Sequence, residues 1–425
     1  MSSASETPSP SPQESATPIR RFVWWKRLVL LAVVLVLILK PADWLLGVLA
    51  DTQLRHLLRL EPNVEVTHRS AEFDYVFRTN SLGFRGRLVP EQKPAGHRRL
   101  VVLGDSFVAG VGVSDEAVFT ERLAEALAGR RIDVVNVGRA GTSTIRELTL
   151  FRHIGRRFDP DVVLLVYYLG NDLAEVLEEE TDEELADWRP AGGLRRLAYL
   201  WCPNIYLELA MQKRRSSAGA AYRKRTEAEV VAWIRGEAES AGVDGGLAEE
   251  RYRRMPEAIR KRAESGELPG YRYLQACLDP ARFRKSLDPD EQFVQRAWGR
   301  TRDHLDTLRE QVESSGGTLL LAMIPDASQV SEAALAFNRE LGFDVDDGWL
   351  DRPGRTAELV AEWADGAGVG LLDLRAVLCE TETEAGAFFV QDGHCTEAGH
   401  RAIATAIRSW PRLREVLFEA EGDRE

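Results

Sequence analysis

From Arg99 onward the chain alternates short β-rich apolar runs with amphipathic stretches, and this alternation limits the fold more than any other feature. Leu100-Val101-Val102-Leu103, Ile132–Val137, Val162–Tyr167, Leu319–Ile324 and Gly370–Leu374 each read as a buried strand. Between or after them, Phe119–Leu127, Gln292–Val312, Thr356–Trp363 and Ala398–Ile407 carry helical spacing; in the first, Phe119, Leu123, Ala126 and Leu127 share one face. Strands alternating with helices predict a parallel sheet wrapped on both faces. Ligands bind such sheets beyond the carboxyl ends of the strands, so the residues directly after each strand are the candidates for chemistry.

Composition narrows the classes. The 425 residues allow two or three domains, or one large domain with insertions. A hydrophobic content of 44% suffices for a substantial core and excludes both a mostly disordered chain and a polytopic membrane protein. With 67 acidic side chains against 55 basic ones, the balance argues against nucleic acid as the main partner, because neutralising phosphates needs a basic face. Four cysteines are too few for a disulfide scaffold, and no Cys/His spacing resembles a zinc site.

The N-terminus has its own character. Met1 to Pro18 is rich in Ser, Pro, Thr and Glu, so residues 1–19 are expected to be a disordered cytoplasmic tail. Residues 20–50 are expected to hold a transmembrane anchor. Phe22 to Leu39 spans 18 residues, inside the ~17–25 a helix needs to cross a bilayer. Trp24 and Trp25 suit the interface, and Lys26 and Arg27 can snorkel to headgroups. A signal peptide cleaved after Val48-Leu49-Ala50 is the competing reading, but Lys40, Pro41 and Asp43 interrupt the approach to that site. A buried core helix is the third reading, and the aromatic and basic flanks weigh against it. The basic residues precede the span, which predicts a cytoplasmic N-terminus and an extracytoplasmic remainder, periplasmic or at the cell surface. Export would permit Cys202–Cys277 and Cys379–Cys395 disulfides; buried free thiols fit equally well.

The remaining expectations are a connecting segment at 51–98, a catalytic domain at 99–412 and an acidic tail at 413–425. Residues 173–290 interrupt the domain with an acidic run (Glu178, Glu179, Glu180, Asp182, Glu183, Glu184), basic clusters and many aromatic residues. A structureless loop of that length is implausible, so a largely helical insertion or lid is expected. Its charge runs read as solvated faces or as a contact for anionic polymer or lipid. Within 51–98, Phe73–Phe77 reads as a short strand and Asn80-Ser81-Leu82-Gly83 as a turn.

Chemistry-bearing residues follow the strands. Gly104-Asp105-Ser106-Phe107 comes after the first, presenting a serine at the sheet edge or merely capping a turn. Asn136-Val137-Gly138-Arg139-Ala140-Gly141 follows the second and Gly170-Asn171-Asp172 the third. A glycine N–H and the Asn171 amide could both donate to a developing alkoxide, each worth ~3 kcal/mol of barrier; the glycines could also simply form turns. Near the C-terminus, Asp392-Gly393-His394 puts a carboxylate beside an imidazole, the pair that activates a serine. His400 on the closing helix has an ordinary structural reading, and Asp373 is an alternative carboxylate.

The ordered set Gly104-Asp105-Ser106, Gly141, Gly170-Asn171-Asp172 and Asp392-Gly393-His394 resembles the SGNH/GDSL hydrolases. The resemblance implies a flavodoxin-like three-layer α/β/α fold with no metal or organic cofactor. It implies Ser106 as nucleophile, His394 as general base, Asp392 as its orienting carboxylate, and Gly141, Asn171 and the Ser106 amide as oxyanion donors; Gly138 is the alternative glycine. The single residue between Asp392 and His394 is similar to exported members that acetylate or deacetylate bacterial polysaccharides. The stretch Phe77 to Arg85 also resembles membrane-anchored bacterial members. The expected activity is hydrolysis of ester bonds in an acylated carbohydrate or lipid. An O-acyltransferase on the same triad and a non-catalytic binder of envelope polymer are the alternatives. A Rossmann-type nucleotide site is not expected, since neither G-x-G-x-x-G nor a P-loop falls at a strand end.

Overall fold

The computed structural model describes residues 19–50, 52, 55, 58, 60–178, 192–217 and 224–418. The expected disordered tail (1–18), the acidic run from Glu179 to Glu184 and the end of the acidic tail (419–425) lie outside the described residues. The chain divides into two compact units, residues 1–54 with 189–211 and residues 55–188 with 212–425.

The first unit is built on the 32-residue helix Ile19–Ala50, of which Trp24–Leu49 is long and apolar enough to cross a membrane. The helix continues through Lys40, Pro41 and Asp43 instead of stopping at Leu39. Helix Gly193–Trp201 and helix Pro203–Ser217 as far as Met211, both from the insertion, belong to it as well. The Asp43 carboxylate accepts the Ile205 N–H at 2.9 Å and the Asn204 amide at 3.3 Å, and both Asp43 and Asn204 are buried.

The second unit opens with an antiparallel hairpin, β1 (Glu65–Arg69) and β2 (Asp74–Arg78). Ser70 Oγ shapes its turn by accepting the amides of Glu72 and Phe73. The central sheet holds β3 (Arg98–Gly104), β4 (Ile132–Gly138), β5 (Val162–Tyr168), β6 (Thr318–Ile324) and β7 (Gly370–Asp373), all parallel, in the order β4-β3-β5-β6-β7. This is the flavodoxin-like order, and its crevice opens where β3 and β5 meet at their carboxyl ends. Helices Phe119–Leu127 and Glu397–Ser409 cover one face, and Thr144–His153, Glu291–Ser314 and Arg355–Ala367 the other. Leu100 to Leu103 are all 0% exposed, so successive side chains pointing to opposite faces are equally covered. Leu100 and Val102 join Phe119, Leu123, Ile403 and Ile407 in one core, each such side chain contributing ~1.5–3 kcal/mol.

The insertion is helical where it is described. Its later part, Glu227–Ser240, Gly245–Arg254, Glu257–Ser265, Gly270–Leu278 and Arg282–Leu287, packs within the second unit around Val230, Ile234, Tyr252 and Tyr273. Thr226 and Glu229 close the first of these helices with a reciprocal capping box. The cysteines form neither of the disulfides that export would permit. All four are free thiols.

Candidate active site

Ser106 is delivered by the end of β3. Gly104 stands at φ +154°, and a Cβ there would meet Val108 Cγ2 at 2.4 Å and the Val166 carbonyl at 3.0 Å, so the sharp exit from the strand needs a glycine. Asp105 then caps the short helix Ser106–Ala109, its Oδ1 accepting the Phe107 amide at 2.9 Å. Ser106 Oγ lies 2.8 Å from His394 Nε2 and 3.2 Å from Asp105 Oδ2. The shorter approach belongs to the imidazole. Burial raises the Asp105 pKa, with the Phe107 amide and the His394 charge opposing it.

The imidazole arrives on a tight loop between an isolated antiparallel bridge, Phe388 to Cys395. Phe389 N–H donates to the His394 carbonyl and Gly393 N–H to the Phe389 carbonyl, both at 2.8 Å. Gly393, between Asp392 and His394, sits at φ +89°, a left-handed conformation that favours glycine. Asp392 Oδ1 pairs with His394 Nδ1, leaving Nε2 directed at Ser106. Burial disfavours charge on His394, but the Asp392 carboxylate and its hydrogen bond outweigh it and raise the imidazole pKa above its ordinary value. Burial likewise works to raise Asp392, yet the charge and hydrogen bond of His394, with the Tyr271 phenol, hold that carboxyl below the usual range. The two directions agree and describe one ion-pairing couple.

Side chains remote in sequence hold this loop. Glu72, at the hairpin tip, accepts the Gln391 N–H at 3.0 Å and the Asp392 N–H at 2.9 Å. Tyr271, from the insertion, donates its phenol to Asp392 Oδ2 at 2.5 Å. Its neighbour Arg272 donates to the Gln391 carbonyl at 2.9 Å and also bonds Asn338 Oδ1. On the Ser106 side, Arg85 is 1% exposed and donates to the carbonyls of Gly110 and Val113 and, at 2.7 Å, to Asp115. Its guanidinium lies 5.0 Å from the Phe77 ring and 5.4 Å from Tyr75. The Phe77–Arg85 stretch thereby ties the hairpin to the loop that follows the serine helix.

Ser106, Asn171, Tyr271, Arg272, Asp326 and His394 line a cavity of about 130 Å³. The Asn171 Oδ1 is buried without a hydrogen-bond partner. Asp172 accepts the Tyr168 N–H at 2.8 Å and so shapes the turn that presents Asn171; burial, then the nearby Glu147 charge, raises its pKa well above the carboxylate range.

Other candidates fall elsewhere. Gly141 is exposed at φ +69° in the loop after β4, and it is not among the residues lining the cavity. The Gly138 N–H is already committed to Asn136 Oδ1 at 2.8 Å, which removes it as an oxyanion donor. Asp373 accepts the Arg375 N–H at the start of the next helix, which removes it as the partner of His394. His400 is fully buried against Phe119 and pushed down to about 3, first by burial and then by the Arg85 charge, so it stays neutral.

Glu72, Tyr271 and Arg272 escape the sequence reading. The only trace of the first is its place before the Phe73–Phe77 strand; the other two sit among many insertion aromatics and basics.

Residues 284–422 match the family model described as SGNH hydrolase-like domain, acetyltransferase AlgX. The match covers Asp392 and His394 and ends short of Ser106. No curated protein matches the chain. Among solved structures, TesA is 12% identical, covering 75% of this chain and 100% of its own, at a TM-score of 0.35. The acetyl xylan esterase AlAXEase is 12% identical, covering 73% and 98%, at 0.35. A lipase/acylhydrolase from Enterococcus faecalis is 12% identical, covering 75% and 95%, at 0.35. Over residues 284–422, about a third of its length, the chain is similar to this SGNH hydrolase-like domain.

Proposed function

We propose that the chain is a serine acyl-transfer enzyme that cleaves short-chain esters of a polar alcohol such as a carbohydrate. The observation that carries this reading is His394, placed between Ser106 Oγ at 2.8 Å and the Asp392 carboxylate. Ser106 Oγ attacks the ester carbonyl carbon as His394 Nε2 takes its proton. The bond from carbon to the alcohol oxygen breaks, and His394 returns the proton to the departing alkoxide. Water, deprotonated by His394, then attacks the acyl-enzyme, releases the acid and restores Ser106. The Ser106 amide and the Asn171 side chain are the oxyanion donors; Gly141 joins them only if its loop closes onto the cavity.

The cavity volume supports a short acyl group. About 130 Å³ holds a few heavy atoms, well under the ~300–1,000 Å³ of a pocket for a drug-sized ligand. Arg272, Asn338 and Asp326 on the walls suit hydroxyl groups better than a lipid tail. We also propose that helix Ile19–Ala50 anchors the chain in a membrane, with Lys26 and Arg27 on the cytoplasmic side and the catalytic unit outside.

A second reading, acyl transfer to a sugar hydroxyl instead of water, is favoured by one observation. The insertion supplies Tyr271 and Arg272 to the cavity wall, so it borders the place where an acceptor or water would enter. The matched model's description as an acetyltransferase points the same way. The test is turnover of an activated acetyl ester by the full chain and by Ser106→Ala, with and without an oligosaccharide. Free acetate alone makes it a hydrolase, and acetylated sugar a transferase. Turnover unaffected by Ser106→Ala would rule out Ser106 as the nucleophile, and no turnover by the full chain would leave it a polymer-binding protein.

A further inference from the structure

We infer that helix Gly193–Trp201 is a membrane-surface helix that lies in the interface beside the anchor; this rests on helix Ile19–Ala50 being the membrane span. Leu194, Leu197, Leu200 and Trp201 are 85%, 63%, 59% and 40% exposed, a density of open apolar side chains that water disfavours. At 100° per residue these four fall on one side of the helix, while Arg195, Arg196 and Tyr199 fall on the other. An apolar Leu/Trp face opposed by arginines is the pattern of a helix that lies in a bilayer interface and meets anionic headgroups.

Its attachment sets its depth. The Lys40 ammonium donates to the Trp201 carbonyl, and Asp43 holds Asn204 and Ile205 at the start of the following helix. Lys40 directly follows the unbroken apolar run that ends at Leu39, so these polar bonds lie beyond that run, in the C-terminal part of the Trp24–Leu49 stretch. A helix fastened there has the interfacial layer of the outer leaflet as its neighbour. The apolar surface continues onto the anchor itself, where Trp44, Leu45 and Leu49 are exposed. Lipid is therefore the occupant that covers both surfaces at once.

The test is photocrosslinking of the full chain in vesicles of phosphatidylethanolamine and phosphatidylglycerol, with p-benzoylphenylalanine replacing Leu197, Arg195 or Leu35 in turn. The expected result is a lipid adduct at position 197 about tenfold above that at 195, with Leu35 as the positive control inside the span. A lipid adduct at 35 and none at 197 overturns the inference while leaving the anchor intact. Crosslinks from 197 to a second copy or to another part of the same chain overturn it in favour of a protein contact. Absence of lipid adducts at both positions removes the anchor and the inference together.

Discussion

The two ends of the candidate triad are held in opposite ways. Ser106 is fixed by its own strand: β3 is fully buried from Arg99 onward, Gly104 makes the turn, and Asp105 caps the helix that begins at the serine. Asp392 and His394 ride on an eight-residue loop closed by a single bridge, and its geometry is set by Glu72 from the hairpin and Tyr271 from the insertion. The proposed nucleophile is therefore positioned by local sequence, whereas the proposed acid–base pair depends on contacts from over a hundred residues away. Chemistry of this kind is encoded in short motifs; its alignment is encoded in long-range packing.

Substitutions can break or sharpen that contrast. The largest loss is expected for Ser106→Ala and His394→Ala, roughly 10⁴-fold or more in kcat for an activated ester, each about as severe as the two combined. Asp392→Asn, which spoils the tautomer that presents Nε2, should cost about 10³–10⁴-fold in kcat. Glu72→Ala should lower kcat/KM by about 10- to 100-fold, because two amides lose their acceptor and small displacements at a reacting centre are expensive. Glu72→Gln keeps an acceptor and should recover most of that loss. If Glu72→Ala is as active as the parent, the dependence on remote contacts is wrong.

Smaller still is Tyr271→Phe, expected to cost about 3- to 10-fold, near the worth of one hydrogen bond to a charged group. Its signature is a shift in pH dependence. His394 must be neutral to take the Ser106 proton, and its pKa stands above 6.5, so kcat/KM should rise with pH through a midpoint above 6.5. Removing the phenol leaves Asp392 a stronger base, which raises His394 further and moves the acid limb to higher pH. The same couple predicts a stability profile. The contribution of His394 is complete below 6.5 and fades as pH rises through its raised value; that of Asp392 is complete above 3.8 and fades as pH falls through its lowered value. Thermal unfolding across pH measures both.

Much of this was legible in the residues. The five strands could be read because a strand covered on both faces is apolar throughout, as Val162 to Tyr167 is, and Ser106 and Asn171 stand where strand ends put them, while Asp392 and His394 were legible as an adjacent carboxylate–imidazole pair. Glu72 could not be read, since one glutamate among 67 acidic residues carries no pattern until folding brings it to the Asp392 amide. Tyr271 was hidden for the same reason. The insertion was expected to be helical, yet its division was not: residues 189–211 group with the anchor helix, and residues from 212 onward with the sheet. Within the first unit, the buried Asp43 carboxylate, a polar residue next to an apolar run, takes its donors from Asn204 and Ile205.

The central claim is a covalent acyl-enzyme on Ser106 formed with His394 as base. It is tested most directly by treating the full chain with a serine-directed organophosphonate and locating the adduct by peptide mass spectrometry. The account predicts a single adduct on Ser106 that is lost in His394→Ala and in Ser106→Ala. An adduct on another serine, or labelling of Ser106 that is indifferent to His394→Ala, would contradict it.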